Sequence, residues 1–131
     1  MNPQLSLLVC VLSLTACDDG TPIVGQSSQI ISPDSAFVAT LEVVDNGLGF
    51  GQGALYEEVH VTRAGQPLGA HGDPGKSVVF YAESTYENGR DVHVRWVTAR
   101  RLRVEFDSKQ KPGREVRRLG DVEVEFSRRP Q

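Results

Sequence analysis

The second half of the chain alternates apolar and polar residues with a period of two, and this pattern constrains the fold more than any other feature. The alternation runs through Asp91–Thr98 and Arg101–Phe106 and returns at Val122–Phe126. Successive side chains of a β-strand point to opposite faces, so this period is typical of a sheet with one buried and one solvated face. The apolar set of the first segment includes Trp96, which we therefore expect in the core.

Shorter apolar runs between turn residues extend the strand pattern toward the N-terminus. Ser35–Val44 places alternate apolar residues on one face, and Ser77–Ala82 is an almost continuous apolar run. Leu55–Thr62 is ambiguous because three of its residues also fit a helical face, but its β-branched residues favour a strand. We therefore predict an all-β domain over residues 32–128, either a single small antiparallel meander sheet or a sandwich, with five to seven strands.

The two cysteines, Cys10 and Cys17, both precede the strand-like segments. The predicted domain therefore contains neither an internal disulfide nor a thiolate metal site. The chain has 131 residues, which is room for one domain. About 100 residues can bury a self-sufficient core without such cross-links.

An apolar segment near the N-terminus indicates export. Leu5–Leu14 contains ten residues without a charge, about half of the ~20 residues that a membrane-spanning helix needs. Its length fits the ~7–15-residue apolar region of a secretory signal peptide. Polar residues from Asp18 onward end the segment where a signal should end. The alternative is that Leu5–Leu14 is a buried core helix and Cys17 an ordinary buried thiol.

The end of this segment, Leu14-Thr15-Ala16-Cys17, resembles the lipobox of bacterial lipoproteins. The resemblance implies that signal peptidase recognises Leu14, Thr15 and Ala16 and removes residues 1–16 as a signal peptide. The Cys17 thiol would carry a diacylglycerol, and a further acyl chain such as palmitate would usually block the new terminus. Two or more acyl chains hold a protein stably to membrane lipid.

The segment that follows the lipobox predicts a flexible lipid-anchored tether over residues 17–31. It is rich in glycine, serine, glutamine, threonine and proline, with Ile30-Ile31 as a short apolar pair. Chains of this composition behave as flexible coils. Asp18 directly after the cysteine resembles the signal that retains some lipoproteins at the inner membrane, which favours that membrane.

A second resemblance begins at Ser32-Pro33-Asp34-Ser35, which looks like the SPDG-plus-strand opening of β-propeller blades with serine in place of glycine. The segment from Val94 to Val104, two short strands around a turn, looks like the closing part of the same pattern. Small bacterial lipoproteins of unknown function share this layout. A propeller needs at least four blades, and the chain has no internal repeat, so the resemblance implies a lone sheet and brings no activity with it.

Two glycine-containing motifs suggest nucleotide binding but lack its structural context. Gly75-Lys76-Ser77 resembles the end of a phosphate-binding loop, but Ala70 stands where that loop needs glycine. A strand-like run follows instead of a helix. Gly49–Ala54 fits a dinucleotide fingerprint without the crossover helix, and a hairpin loop that needs positive φ explains it more simply. We predict no cofactor.

Residues for catalysis or metal binding do not form a recognisable set. A zinc site needs three or four converging ligands. His60 and His93 could meet on neighbouring strands, but solvent exposure is the simpler expectation for them and for His71. Glu57 and Glu58 are adjacent on a predicted strand, so they face opposite sides and cannot act as one acid–base pair. The chain has no G-x-S-x-G elbow. We predict no catalytic residue, no metal site and no enzymatic activity.

Charge is distributed unevenly along the chain. Residues 1–89 contain ten acidic and two basic residues, and residues 90–131 contain seven acidic and twelve basic ones. We expect acidic neighbours to neutralise the basic side chains within the sheet. The alternative is a basic face that contacts anionic lipid headgroups or lipopolysaccharide, with Arg95, Arg101 and Arg103 as its candidate residues.

Together these patterns predict a lipoprotein of the cell envelope that faces the periplasm or the cell exterior. We expect its domain to be a non-enzymatic binding or structural module. Its expected partners are membrane lipid, through Cys17, and an unidentified envelope protein, without nucleic acid. Two alternatives stay open: a small envelope enzyme of unrecognised type, and a module that contacts anionic lipid through the basic C-terminal face.

Overall fold

The computed structural model describes residues 23–45, 55–68, 77–85 and 91–130. Within these ranges the regular elements are nine strands. The strands are β1 (Ile23–Ile31), β2 (Phe37–Asp45), β3 (Leu55–Arg63), β4 (Val78–Glu83), β5 (His93–Thr98), β6 (Arg101–Asp107), β7 (Pro112–Glu115), β8 (Arg118–Leu119) and β9 (Val122–Arg129).

The strands form two sheets. One has five strands in the order β1-β2-β3-β4-β7, all paired antiparallel. The other has four strands in the order β5-β6-β9-β8, in which β6 and β9 run parallel. The all-β prediction is confirmed. The described residues hold more strands than the five to seven expected, and the β6–β9 pair departs from a meander.

One hydrophobic core lies between the two sheets. β6 follows the predicted alternation, with Leu102, Val104 and Phe106 buried and the intervening side chains turned outward. Phe80 from the five-stranded sheet packs on Phe106 across the core, with ring centroids 5.2 Å apart. Each fully buried aromatic or aliphatic side chain of this kind contributes about 1.5–3 kcal/mol to folding.

The prediction of a flexible tether over residues 17–31 is wrong for Ile23–Ile31, which form β1. This strand is the edge of the five-stranded sheet and pairs with β2 along its length. Its central side chains are polar and exposed, as expected for an edge strand that is held mainly by backbone hydrogen bonds. The composition of Ile23–Ile31 is thus typical of a flexible coil, although its backbone forms a strand.

Trp96 connects this edge strand to the second sheet. Its ring is half-buried against the core, and its indole Nε1 donates a hydrogen bond of 2.8 Å to the carbonyl of Ile30. The expectation of a core tryptophan is therefore met in part, since the ring also keeps an exposed side. A buried indole usually needs such an acceptor.

The turn from β1 to β2 is built by the Ser32-Pro33-Asp34-Ser35 segment. Ser35 N donates to Ser32 O at 2.8 Å, which closes a four-residue turn with proline at its second position. Ser32 Oγ donates to Asp34 Oδ1 at 2.8 Å and accepts from Phe37 N at 3.0 Å. Ser35 has φ of 60°, the left-handed region that glycine adopts most easily. The glycine preference of the SPDG pattern thus has a local backbone cause.

Asp34 also joins the two sheets at this end of the molecule. Its Oδ2 lies 2.6 Å from Arg100 Nη1, in the turn between β5 and β6. The same guanidinium stacks 4.8 Å from the ring centroid of Phe37. Hydrogen bonds from Ser32 and from the Ala36 backbone, together with Arg100, hold the pKa of Asp34 below its ordinary value of 3.8.

A buried polar network closes the opposite end of the sandwich. Glu57 is fully buried, and its Oε1 accepts hydrogen bonds from the backbone of Asp91 (3.0 Å) and Val92 (3.2 Å). Its Oε2 accepts from Gln110 Nε2 at 2.9 Å. Burial raises the pKa of Glu57 above its ordinary value of 4.5, and the nearby Asp91 carboxylate raises it further. Glu57 therefore fixes the start of β5 against β3.

Candidate functional site

The outward face of β2 and β3 carries a group of buried ionisable side chains. In β3, Val59 and Val61 point into the core, so Glu58 and His60 lie on the other face by the alternation of the strand. The register of the antiparallel pair places Glu42 opposite Glu58. Glu57 and Glu58 do face opposite sides, as the sequence predicts.

Glu42, Glu58 and His60, here called the Glu–Glu–His cluster, converge on one point. His60 Nε2 lies 3.2 Å from Glu58 Oε2 and 3.6 Å from Glu42 Oε2. One potential donor atom from each residue lies within 4.8 Å of the other two. On the far side of the ring, His60 Nδ1 lies 3.1 Å from Ser77 Oγ. Two carboxylates and an imidazole in this arrangement can share a proton or hold a cation.

The cluster is shielded from solvent. His60 is fully buried, and the side chains of Glu42 and Glu58 are 6% and 14% exposed. Charged groups are rarely buried to this extent unless they are paired or coordinate a metal ion, because burial removes their hydration. The cluster is therefore the strongest candidate for a functional site among the described residues.

The structure separates the histidines that the sequence suggested could meet. His60 lies in the five-stranded sheet and is fully buried, so the expectation of a solvated side chain is wrong there. His93 begins β5 in the four-stranded sheet and is exposed. His71 lies outside the described residues. The two glutamates of the cluster were not identified from the sequence.

A partial signal for the cluster is present in the sequence. Glu58 and His60 are two residues apart, which places them on one face of a strand. Glu42 joins them only through the register of β2 and β3, which the sequence alone did not specify.

The candidate lipid-contact residues lie on the outer face of the four-stranded sheet, each beside a glutamate. Arg103 makes two hydrogen bonds to Glu125 Oε2, at 3.1 Å from Nε and 3.0 Å from Nη2. Arg101 lies 3.3 Å from the same carboxylate, and Arg95 Nε lies 3.9 Å from Glu105 Oε1. This is the neutralisation within the sheet that we expected to dominate. Such exposed pairs contribute about 0–1 kcal/mol each to stability.

The remaining sequence motifs have limited structural counterparts. Cys17 and its recognition residues Leu14, Thr15 and Ala16 lie outside the described residues, as do Gly49–Ala54 and most of the Gly75-Lys76-Ser77 motif. Ser77 is described and leads directly into the strand β4. The prediction that a strand, and not a phosphate-binding helix, follows this motif is therefore confirmed.

A groove of about 530 Å³ opens beside the start of β2 and the end of β3. Apolar side chains such as Phe37 and Leu68 line much of it, and Arg63 and Asp121 are the charged residues among its described lining. A pocket that supports catalysis usually gathers several polar groups with altered pKa values. The described lining of the groove contains none of the three residues of the Glu–Glu–His cluster, although it contains Ser77, which contacts His60.

Within the described ranges, no helix is both long and apolar enough to cross a membrane. Comparisons with protein-family models, with curated proteins and with solved structures found no match.

Proposed function

We propose that the chain is a bacterial lipoprotein, anchored in a membrane of the cell envelope through Cys17, whose β-sandwich serves as a non-enzymatic binding or structural module. The observation that carries the proposal is the uncharged apolar run that ends at Leu14-Thr15-Ala16-Cys17. The run has the length of a signal peptide and stops at the residue type that lipoprotein processing requires. An inner-membrane location is favoured by Asp18.

The position of β1 makes the proposed anchor short. The first strand begins at Ile23, six residues after Cys17. A fully extended chain of six residues spans at most about 22 Å. A lipid on Cys17 would therefore hold the beginning of β1 close to the membrane surface. This short link would restrict rotation of the sandwich relative to the membrane.

The end of the sandwich near the beginning of β1 carries exposed lysines. Ile23 pairs with Asp45 at this end, and the β6–β7 turn lies there because Gln110 Nε2 donates to the carbonyl of Glu83, the last residue of β4. Lys109 and Lys111 in this turn are exposed. The exposed Asp45 and Glu83 lie at the same end, so the charge there is balanced and the proposed orientation rests on the short distance from Cys17 to β1.

The proposal is tested by metabolic labelling with a fatty-acid probe in a bacterial host. The wild-type chain should be labelled and should partition into detergent. Cys17→Ser should abolish the label and leave an uncleaved precursor. Cys10→Ser is the matched control, since it removes the other thiol within the apolar run and should leave labelling and cleavage unchanged. Labelling and cleavage that persist in Cys17→Ser would overturn the proposal.

A further inference from the structure

We propose that the Glu–Glu–His cluster is a binding site for a divalent transition-metal ion, with Zn²⁺ as the ion that fits best. The ligands are Glu42 Oε2, Glu58 Oε2 and His60 Nε2. This inference goes beyond the proposed anchoring and does not depend on it, because all three residues lie in the described sheet.

The spacing of the donor atoms matches the coordination sphere of zinc. Zinc bonds to histidine nitrogen and carboxylate oxygen are about 2.0–2.2 Å long, and tetrahedral angles then place neighbouring ligand atoms about 3.3–3.6 Å apart. The two distances from His60 Nε2 to the oxygens of Glu58 and Glu42 are 3.2 and 3.6 Å. All three donor atoms lie within 4.8 Å of one another, so the side chains can close around an ion at the centre of the cluster.

Ser77 sets the orientation of the imidazole. With Nδ1 donating to Ser77 Oγ, at 3.1 Å, the Nε2 lone pair of a neutral His60 points at the two carboxylates. Metal-bound histidines almost always donate their second ring nitrogen to a nearby acceptor in this way. In this tautomer a metal ion between Nε2 and the two carboxylates would be ligated by all three side chains.

Donor type favours a divalent transition metal over the alternatives. Carboxylate oxygens and an imidazole nitrogen are ligands that zinc sites use. An imidazole nitrogen in the ligand set favours zinc and related transition metals, while Mg²⁺ and Ca²⁺ prefer oxygen ligands throughout. Three protein ligands also match the number found in open zinc sites, where water completes the coordination.

The ligands stand on a rigid framework. Glu42, Glu58 and His60 lie in the paired central strands β2 and β3, and the cluster is buried. Sites built on strands hold their geometry more closely than sites on loops. The cost of ordering the ligands is therefore met largely during folding, which favours binding.

The test uses the untagged chain, freed of metal with a chelator and then titrated with Zn²⁺. We expect the wild-type chain to retain one Zn²⁺ above the background that the cysteine thiols bind. Elemental analysis after desalting measures this ion, and its binding should also increase Tm. His60→Gln should weaken this binding at least about 100-fold, and Ser77→Ala should weaken it about 10–100-fold, the usual effect of losing a partner of a metal-bound histidine. Every variant is prepared with the same N-terminus, so any free thiol of Cys10 or Cys17 contributes equally to the background.

His93→Gln is the matched control, because it removes an exposed histidine from the other sheet and should leave zinc binding unchanged. Circular dichroism shows whether each variant keeps its β-structure. If His60→Gln does not fold, Ser77→Ala and the absorption spectrum of the Co²⁺-loaded wild-type chain provide the test, since low-coordinate Co²⁺ bound to a histidine gives visible bands. Folded wild-type chain that binds no zinc, or zinc binding that is equal in the His60→Gln and His93→Gln variants, would overturn the proposal.

Discussion

Replacing Ser35 with glycine should stabilise the sandwich. Ser35 has φ of 60° in the turn between β1 and β2. The left-handed conformation costs a residue with a Cβ about 1–2 kcal/mol. Glycine avoids that cost but makes the unfolded chain more flexible, which takes back about 0.4–1 kcal/mol. The difference runs from about 0 to about 1.6 kcal/mol, and its middle predicts a gain of about 0.5–1 kcal/mol in the free energy of unfolding.

The assay is equilibrium denaturation followed by the fluorescence of Trp96, the single tryptophan of the chain. Trp96 reports on the same end of the fold, because its indole bonds to Ile30 at the end of β1. A gain of this size should raise Tm by about 2–8 °C in a domain of roughly 100 residues. Ser35→Ala is the control, since it keeps the Cβ and should change stability little. A Ser35→Gly variant less stable than Ser35→Ala would refute the reasoning.

Three further changes test other parts of the fold. Trp96→Phe removes the hydrogen bond to Ile30 but keeps an aromatic ring. Denaturation should show that the free energy of unfolding falls by about 0.5–1.5 kcal/mol, as for a typical hydrogen bond. An unchanged free energy of unfolding would mean that the bond contributes nothing. Glu57 has a raised pKa in the folded chain. The stability that this residue contributes to the fold is therefore fully present below its ordinary pKa of 4.5 and is lost as the pH rises through the folded pKa. The stability of wild type relative to Glu57→Gln should therefore fall as the pH rises above 4.5 and level off above the raised folded pKa. A difference independent of pH would contradict this. The last change is the double variant Arg101→Glu/Arg103→Glu, made in a chain that lacks residues 1–20. It should bind anionic and neutral vesicles as the unsubstituted chain does, because both guanidiniums already pair with Glu125. A salt-sensitive loss of binding confined to anionic vesicles would show that the two arginines contact lipid.

The fold class could be predicted because the core strands bury one face each. β6 shows this most clearly, since Leu102, Val104 and Phe106 are buried and alternate with outward-facing charged residues. The edge strand β1 could not be recognised in the same way. Its central side chains are exposed, and its backbone pairing with β2 leaves no apolar pattern to read. β8 has two residues and is too short to show a period.

The parallel pairing of β6 with β9 is a non-local feature that no local pattern specifies. The two strands are separated by β7 and β8, which belong to different sheets. Short-range turn signals favour hairpins between consecutive strands, so they predicted a meander. The sheet order depends instead on how the complete set of strands encloses Phe80, Phe106 and the rest of the core.

The candidate site could be predicted only in part, for the same reason. Glu58 and His60 share a strand face, which the sequence makes visible, but solvent exposure was the simpler interpretation of a polar strand face. The third residue, Glu42, comes from another strand through the register of the β2–β3 pair. Ser77 precedes β4 and reaches His60 across 17 positions of the sequence.

The central claim is the lipid anchor, and mass spectrometry of the chain purified from bacterial membranes in detergent tests it most directly. The account predicts a mature chain that begins at Cys17, without residues 1–16, and that carries the added mass of a diacylglycerol with or without a further acyl chain. The N-terminal peptide should show that this mass is on Cys17. A chain that retains residues 1–16, or one that begins with an unmodified Cys17, would contradict the account.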